Sequence, residues 1–285
     1  MFAAAVSYLL EDVDPMTLPI GPKGTVKVSE GLYALPSGRD AAMLDIVKAC
    51  EGKRYIIVGE SHAHPKHQEY QAAVIRALAQ AGRPVAVGFE MFTRPNQINL
   101  APWSLGQWDE AKFRKEANWD KEWGYSYDSY RPIFTAVRDW RLPMVALNMP
   151  RDWVRAVGKT GELPAEAKGT VPPLDTTNTD HRSVWNAMIG TSHPMPAATM
   201  DKMYAAQVLW DTGMADTAVK YMAGRGKDAI IVILAGSGHA MYKQAINYRI
   251  KKQTGEDCVT VVMTESKDPV TVSKGLGDFV LVTTP

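Results

Sequence analysis

The chain has 285 residues, enough for one large domain or two small ones. It is 46% hydrophobic and 22% charged, the balance of a globular protein rather than a disordered or membrane-spanning one. A formal net charge of +1 excludes a global field for nucleic acid or an anionic membrane, so any charged partner must be met locally. Two cysteines, Cys50 and Cys258, are too few for a disulfide framework or a Cys-type zinc site.

The opening "MFAAAVSYLLEDVD" has a short apolar patch without a basic n-region or a small-residue cleavage site, and is too short to span a bilayer. Residues 1–27, with "DPMTLPIGPKG", read as an extended lead-in, and residues 28–285 as a single α/β domain. "SGRDAAMLDIVKAC" predicts a helix starting near Ser37 or Asp40. "YIIVG" predicts a buried strand. The next stretch places Tyr70, Val74, Ala77, Leu78 and Ala81 on one helical face, with Pro65 at the start and Gly82 at the stop. "PVAVGFE" follows as a strand, so the unit is βαβ with parallel pairing and a right-handed crossover.

Residues 101–127 are rich in tryptophan. "DSYRPIFTAVRDW" predicts a helix with Tyr130, Phe134 and Val137 aligned, "PMVALN" a strand and "RDWVRAVGK" a helix. A helical and loop-rich excursion occupies about 161–225, with a short helix over His181 to Met188 and a long one from "TMDKMY" onward. "DAIIVILAG", "CVTVVMT" and "DFVLVT" complete the strands. The predicted class is α/β: a mostly parallel sheet flanked by helices, with two strand–Gly-x-x-His–helix half-repeats at 55–81 and 229–252.

Ligands of parallel α/β sheets collect outside the carboxyl ends of the strands. The first strand ends in Glu60 and His62, the second in Glu90, the third in Asn148 and the fourth in His239. A shared pocket of His62, His239, Glu60 and Glu90 is therefore expected. Two histidines with one or two carboxylates can bind a divalent metal or serve as an acid–base set. The bland alternative has both histidines capping helices or bonded within the core. Asp211 lies on a helical stripe with Tyr204, Val208, Ala215 and Met222, where a carboxylate needs a partner. It either bonds a loop backbone or orients an imidazole of the site. His64 and His67 are expected to be exposed first-turn residues, and His181 and His193 to be solvated. Histidine and tyrosine also ligate haem iron, which makes His62, His64, His67 and Tyr242 the candidates for that chemistry.

Seven segments carry a family resemblance: "GLYALPSGRDAAM", "VGESHAHPKHQEYQ", "GRPVAVGFEMFTRPNQ", "NWDKEWGYSYDSYRPIF", "LPMVALNMPRDWVR", "AAQVLWDTGMA" and "LAGSGHAMY". From about Gly31 to about Thr264 the chain resembles the ChaN-like haem-binding proteins of the Tiki/TraB superfamily. The resemblance implies haem as ligand, a role in bacterial iron or haem acquisition, and a periplasmic or lipoprotein-like location in the envelope. Partners so implied are an outer-membrane haem receptor system and a second copy in a homodimer, with no nucleic acid. The wider superfamily includes metal-dependent hydrolases, whose shared pocket maps onto His62, Glu90 and His239 as metal ligands with Glu60 alongside, so the alternative is a metal-dependent peptidase or esterase using Glu60, His62, Glu90, Asp211 and His239. The sequence departs from the family pattern at Ala63, where an acidic or amide residue is expected, and at "KQAINYRI", where a Gly-Ile-Pro-like turn is expected.

Overall fold

Each central strand sends alternate residues to opposite faces of one sheet, and both faces are covered. Ile56 and Val58 pack to one side, Tyr55 and Ile57 to the other. This is why the strands read as unbroken apolar runs rather than as alternations. The computed structural model describes residues 13–35, 37–189 and 195–285. Most of the opening apolar patch, and His193, lie outside the described residues.

The strands are β1 (Thr25–Val28), β2 (Gly31–Ala34), β3 (Arg39–Asp40), β4 (Tyr55–Glu60), β5 (Val85–Thr93), β6 (Met144–Asn148), β7 (Ile230–Gly236), β8 (Val259–Glu265), β9 (Val270–Ser273) and β10 (Phe279–Thr283). The helices are α1 (Met43–Ala49), α2 (Pro65–Gln80), α3 (Ala101–Ser104), α4 (Glu110–Glu116), α5 (Trp119–Glu122), α6 (Tyr127–Asp139), α7 (Arg151–Thr160), α8 (Thr179–Ile189), α9 (Ala197–Ala223) and α10 (Ile246–Thr254). Eight strands form the main sheet in the order β3-β2-β10-β8-β4-β7-β5-β6. The run from β10 to β6 is parallel, and β2 and β3 extend its edge antiparallel. Residues of α1, α2 and α6 cover one face; α9 and α10 cover the other.

The α/β class and the mostly parallel sheet follow the sequence reading, with differences of detail. Strands β4 and β5 belong to one βαβ unit but are not neighbours, because β7 lies between them and pairs with both. Over its described residues the lead-in is extended except for a 3₁₀ turn at Pro15–Thr17, and its end is not free: Thr25–Val28 pairs with Val270–Ser273 as a separate ribbon. Helix α1 starts at Met43, not at Ser37 or Asp40, because Arg39 and Asp40 pair with β2, and the Asp45 carboxylate accepts the Ala42 N–H at the true start. On α2 the buried face runs through His67, Gln71, Val74, Ile75 and Leu78, leaving Tyr70 only half-buried. Strand β5 continues past Glu90 to Thr93, with its register to β6 shifting between Phe89 and Thr93. No helix among the described residues is long and apolar enough to cross a membrane.

Candidate functional site

The site lies where β4 and β7 end side by side, with Glu60 in register with Gly236. Glu60 is buried at 3% exposure, so its carboxylate must be satisfied from within. Oε2 accepts from Gln68 Nε2 at 2.5 Å, and Oε1 accepts from the Tyr130 hydroxyl at 2.8 Å and lies 2.9 Å from His62 Nδ1. The Tyr130 oxygen also accepts the Ala63 N–H at 3.0 Å. That bond fixes a turn in which Ala63 takes the left-handed φ of 56°, a strained value for a residue with a Cβ.

The His62 ring stands over this turn, edge-on to Trp123 at 4.8 Å and tilted against Tyr125 at 5.5 Å. Its side chain is 31% exposed, and Nε2 has no hydrogen-bond partner among the described residues. Across the pocket, His239 arrives on a tight turn over Ser237–His239. Gly236 lets the two rings approach: a Cβ there would sit 3.0 Å from His62 Cε1 and 3.8 Å from His239 Cδ2.

His239 has both nitrogens engaged. Nδ1 lies 2.6 Å from Asp211 Oδ1, and Nε2 lies 3.3 Å from Glu90 Oε1. The other Glu90 oxygen accepts the Gly236 N–H at 2.7 Å. Behind it, Asp211 Oδ2 is 3.0 Å from His181 Nε2, and His181 Nδ1 is 2.9 Å from the Tyr204 hydroxyl. Asp211 therefore orients an imidazole rather than bonding a loop backbone.

The charges follow from this packing. Burial opposes a proton on His239, yet Glu90 and Asp211 outweigh it and raise the ring to about 10. Burial likewise opposes ionisation of Glu90 and Asp211, but the His239 charge and its hydrogen bonds hold both carboxyls below their usual range. Glu60 is pushed up by burial, and His62, despite its own burial, is pushed up by its bond to Glu60 and by the Glu90 charge. The two histidine–carboxylate pairs thus differ. His239 is a locked, buried cation, whereas His62 is backed by a carboxylate and keeps one ring nitrogen free.

Three haem-ligand candidates are not part of this group. His67 is fully buried, not an exposed first-turn residue: Nδ1 accepts the Ser61 N–H at 2.9 Å and Nε2 lies 3.1 Å from Thr283 Oγ1. Burial, then the His64 charge, depresses it to about 4. His64 is also largely covered, with Nε2 3.0 Å from Glu265 Oε2. Tyr242 is buried and donates to the Pro15 carbonyl at 2.9 Å while accepting the Leu18 N–H at 2.8 Å, which makes it a strut for the lead-in. His181, expected to be solvated, is 2% exposed, because it is the second partner that Asp211 needed.

Sequence reasoning also passed over Trp123, Tyr125 and Trp210. Trp123 and Tyr125 flank His62, and Trp210 stands edge-on to His239 at 6.5 Å. The tryptophan-rich segment was the available signal for the first two. Past Glu90 and Trp123 opens a cavity of ≈ 330 Å³, lined further by Met91, Met149, Val154 and Trp210 and by the polar Thr93, Glu122, Asn148, Arg151 and Arg155, with neither imidazole among its walls. Among the described residues, no group of three or more His, Cys, Asp or Glu is arranged to hold a metal ion. Of the expected set, His239 stands 3.3 Å from Glu90, while His62 faces Glu60.

A parallel α/β sheet with paired imidazole–carboxylate groups at its strand ends defines the class of this protein, and the comparisons specify it. Residues 46–250 match the family described as haem-binding uptake, Tiki superfamily, ChaN, and the chain belongs to that family. Among solved structures it is similar to ChaN of Campylobacter jejuni, described with cofacial heme binding, at 20% identity and a TM-score of 0.70, over 87% of this chain and 94% of that one. It is also similar in fold to the type III effector HopBA1, at 10% identity and a TM-score of 0.50, over 85% of this chain and 93% of that one. A search of the curated proteins finds no match.

Proposed function

We propose that this protein binds haem in the cleft at the carboxyl ends of the parallel strands, over the cavity at the ends of β5 and β6, with His62 as a candidate iron ligand. Family membership supports haem as the ligand. The observation that carries the assignment to this cleft is the unpartnered Nε2 of His62, on a ring in contact with Trp123 and Tyr125, with Trp123 also lining a cavity of mixed apolar and charged side chains. The residues present fit the group. Imidazole and phenol are haem-iron ligands, and Tyr125, at 43% exposure, offers a second candidate next to the first. Trp123, Trp210, Met91 and Met149 supply apolar walls, and Arg151 and Arg155 supply cations that suit the propionates. Bound haem would supply an iron centre open to ligation. The chain's own residues orient it, shield it from water and neutralise its carboxylates. The cavity volume falls within the ~300–1,000 Å³ typical of ligand pockets.

The wider reading is a role in bacterial iron or haem acquisition, in the periplasm or anchored to the envelope. There the protein takes haem admitted by an outer-membrane receptor system and works as a homodimer. Family membership alone supports this part. Titration of the protein with haemin, followed in the visible spectrum, tests the binding. A saturable Soret shift that His62→Ala weakens at least tenfold is expected. Absence of saturable binding by the wild-type protein would overturn the proposal.

One observation favours a second reading, a hydrolase. A carboxylate behind Nδ1 and a free Nε2 make His62 a suitably placed general base. Turnover of ester or peptide substrates, compared with and without added zinc or manganese, separates it from a carrier and tells a metal-dependent mechanism from a metal-free one.

A further inference from the structure

We infer that the cavity at the amino ends of β5, β6 and β7 is a second binding site, built for a small flat aromatic molecule that carries a carboxylate. It lies at the edge of the sheet opposite the imidazoles and does not rest on the haem reading. The juxtaposition that carries it is an exposed indole, Trp140, and a phenol ring capped by a guanidinium, Tyr221 under Arg225. Both line one cavity of ≈ 340 Å³ that has no acid among its walls.

The floor of the cavity is apolar. Val85, Leu142, Met222 and Ile230 are buried and close the space between the strand starts and the ends of α2 and α9. Trp140 leaves a large aromatic face in water at 42% exposure, and a flat ring laid on it removes apolar surface from both partners. The indole is carried on a fixed backbone. Its N–H donates to the Ala136 carbonyl at the end of α6, and Arg141 then turns the chain with a left-handed φ of 48°.

The charge of the cavity comes from two arginines that no carboxylate pairs with among the described residues. Arg83 donates to the carbonyls of Asp228, Cys50 and Lys53 at 2.7, 2.8 and 2.8 Å, so it is a fixed cation with its donors spent. Arg225 differs. Its Cζ lies 4.4 Å from the centre of the Tyr221 ring, and its guanidinium makes no hydrogen bond among the described residues. Helix C-termini attract cations, and basic side chains gather there for that reason alone. Arg225 does not serve α9 in that way, because the Met222 and Arg225 carbonyls are taken by Arg54. A guanidinium that is stacked and unpaired offers its planar fork to a carboxylate, while the aromatic rings beside it take the ligand's ring. The volume, near the lower end of the ~300–1,000 Å³ typical of ligand pockets, restricts the ligand to a small ring system.

The test is equilibrium dialysis of the full-length chain against naphthoate. Saturable binding is expected, weakened roughly fivefold or more in Arg225→Ala and in Trp140→Ala. Uncharged naphthalene methanol should bind roughly fivefold more weakly than naphthoate to the wild type and lose that handicap in Arg225→Ala. Cyclohexane carboxylate should also bind more weakly, because a saturated ring forfeits the stack on Trp140. Melting curves of the variants check that they fold; if Trp140→Ala does not, Arg225→Ala decides. Absence of saturable naphthoate binding would overturn the inference. So would binding that Arg155→Ala removes and Arg225→Ala does not, which would place naphthoate in the cavity at the other edge of the sheet. A dimer in sedimentation that Trp140→Ala turns into a monomer would make this face a contact between copies of the chain, and would overturn it too.

Discussion

Asp211 Oδ1 and His239 Nδ1 stand 2.6 Å apart, joining the interior of α9 to the turn after β7. The other oxygen of the same carboxylate lies 3.0 Å from His181 Nε2, so one buried anion stands beside two imidazoles. Asp211→Asn should therefore cost roughly 3–5 kcal/mol, the usual penalty for removing one partner of a buried ion pair. Denaturant unfolding measures it. In a cycle with His239→Gln the two losses should fall well short of additive, because each variant already breaks the shared contact.

The pH dependence of stability should carry the signature of His67. Its folded pKa of about 4 lies below the ordinary histidine value of 6.5, because burial and the His64 charge oppose a proton. The unfolded chain therefore binds more protons between these values, and stability falls as pH drops from 6.5 toward 4. His67→Gln should flatten that limb in urea unfolding midpoints measured across this range. A limb unchanged in slope would assign the acid sensitivity to other groups.

His239 sets the opposite limb. Its folded pKa of about 10 exceeds 6.5, so the stabilisation by its charge is complete below pH 6.5 and is lost as pH rises through about 10. The unfolding midpoint should decline between those values in the wild-type protein and hold level in His239→Gln, whose lower starting stability reflects Asp211 and Glu90 left unpaired.

Tyr242 separates support from ligation. Its hydroxyl holds the lead-in through Pro15 and Leu18 and faces neither His62 nor His239. Tyr242→Phe should lower stability by roughly 1–3 kcal/mol, since the Leu18 N–H loses a buried acceptor. Haemin affinity should not change. A loss of haemin affinity without a loss of stability would return Tyr242 to the ligands.

Arg151 and Arg155 offer a specificity test. If they receive the propionates, the protein should bind haemin more tightly than its dimethyl ester, and Arg155→Ala should erase much of that difference. Equal affinity for both ligands in the wild-type protein would assign the arginines another role.

Much of the architecture was legible in the sequence because apolar periodicity reports burial directly. The runs at Tyr55, Val85, Met144, Ile230 and Val259 all became parallel strands. Glu60, His62, Glu90 and His239 met because parallel strands deliver their ends to one edge. The stripe containing Asp211 correctly called for a partner. What could not be read was the identity of that partner: His181 lies thirty residues upstream in a polar stretch, and only tertiary packing buries it. Small edge pieces were missed as well. Arg39–Asp40 and Val270–Ser273 are too short and mixed to show a period. His64, His67 and Tyr242 looked like ligands by residue type, but the backbone and side-chain groups that occupy them come from distant segments.

The position of β7 has a consequence for how the protein is made. Its residues follow those of β4, β5 and β6 on the ribosome, yet it lies between β4 and β5 and pairs with both. A nascent chain that has not reached residue 230 holds two apolar strands whose facing edges have no mate, the kind of exposed template that recruits other chains. Insertion of one late strand closes both edges and brings Gly236 and His239 to Glu60 and His62 in the same event. Truncated translation products are therefore expected to aggregate rather than to linger with a half-formed site, and only a chain extended past residue 239 carries all four of these groups at one sheet edge.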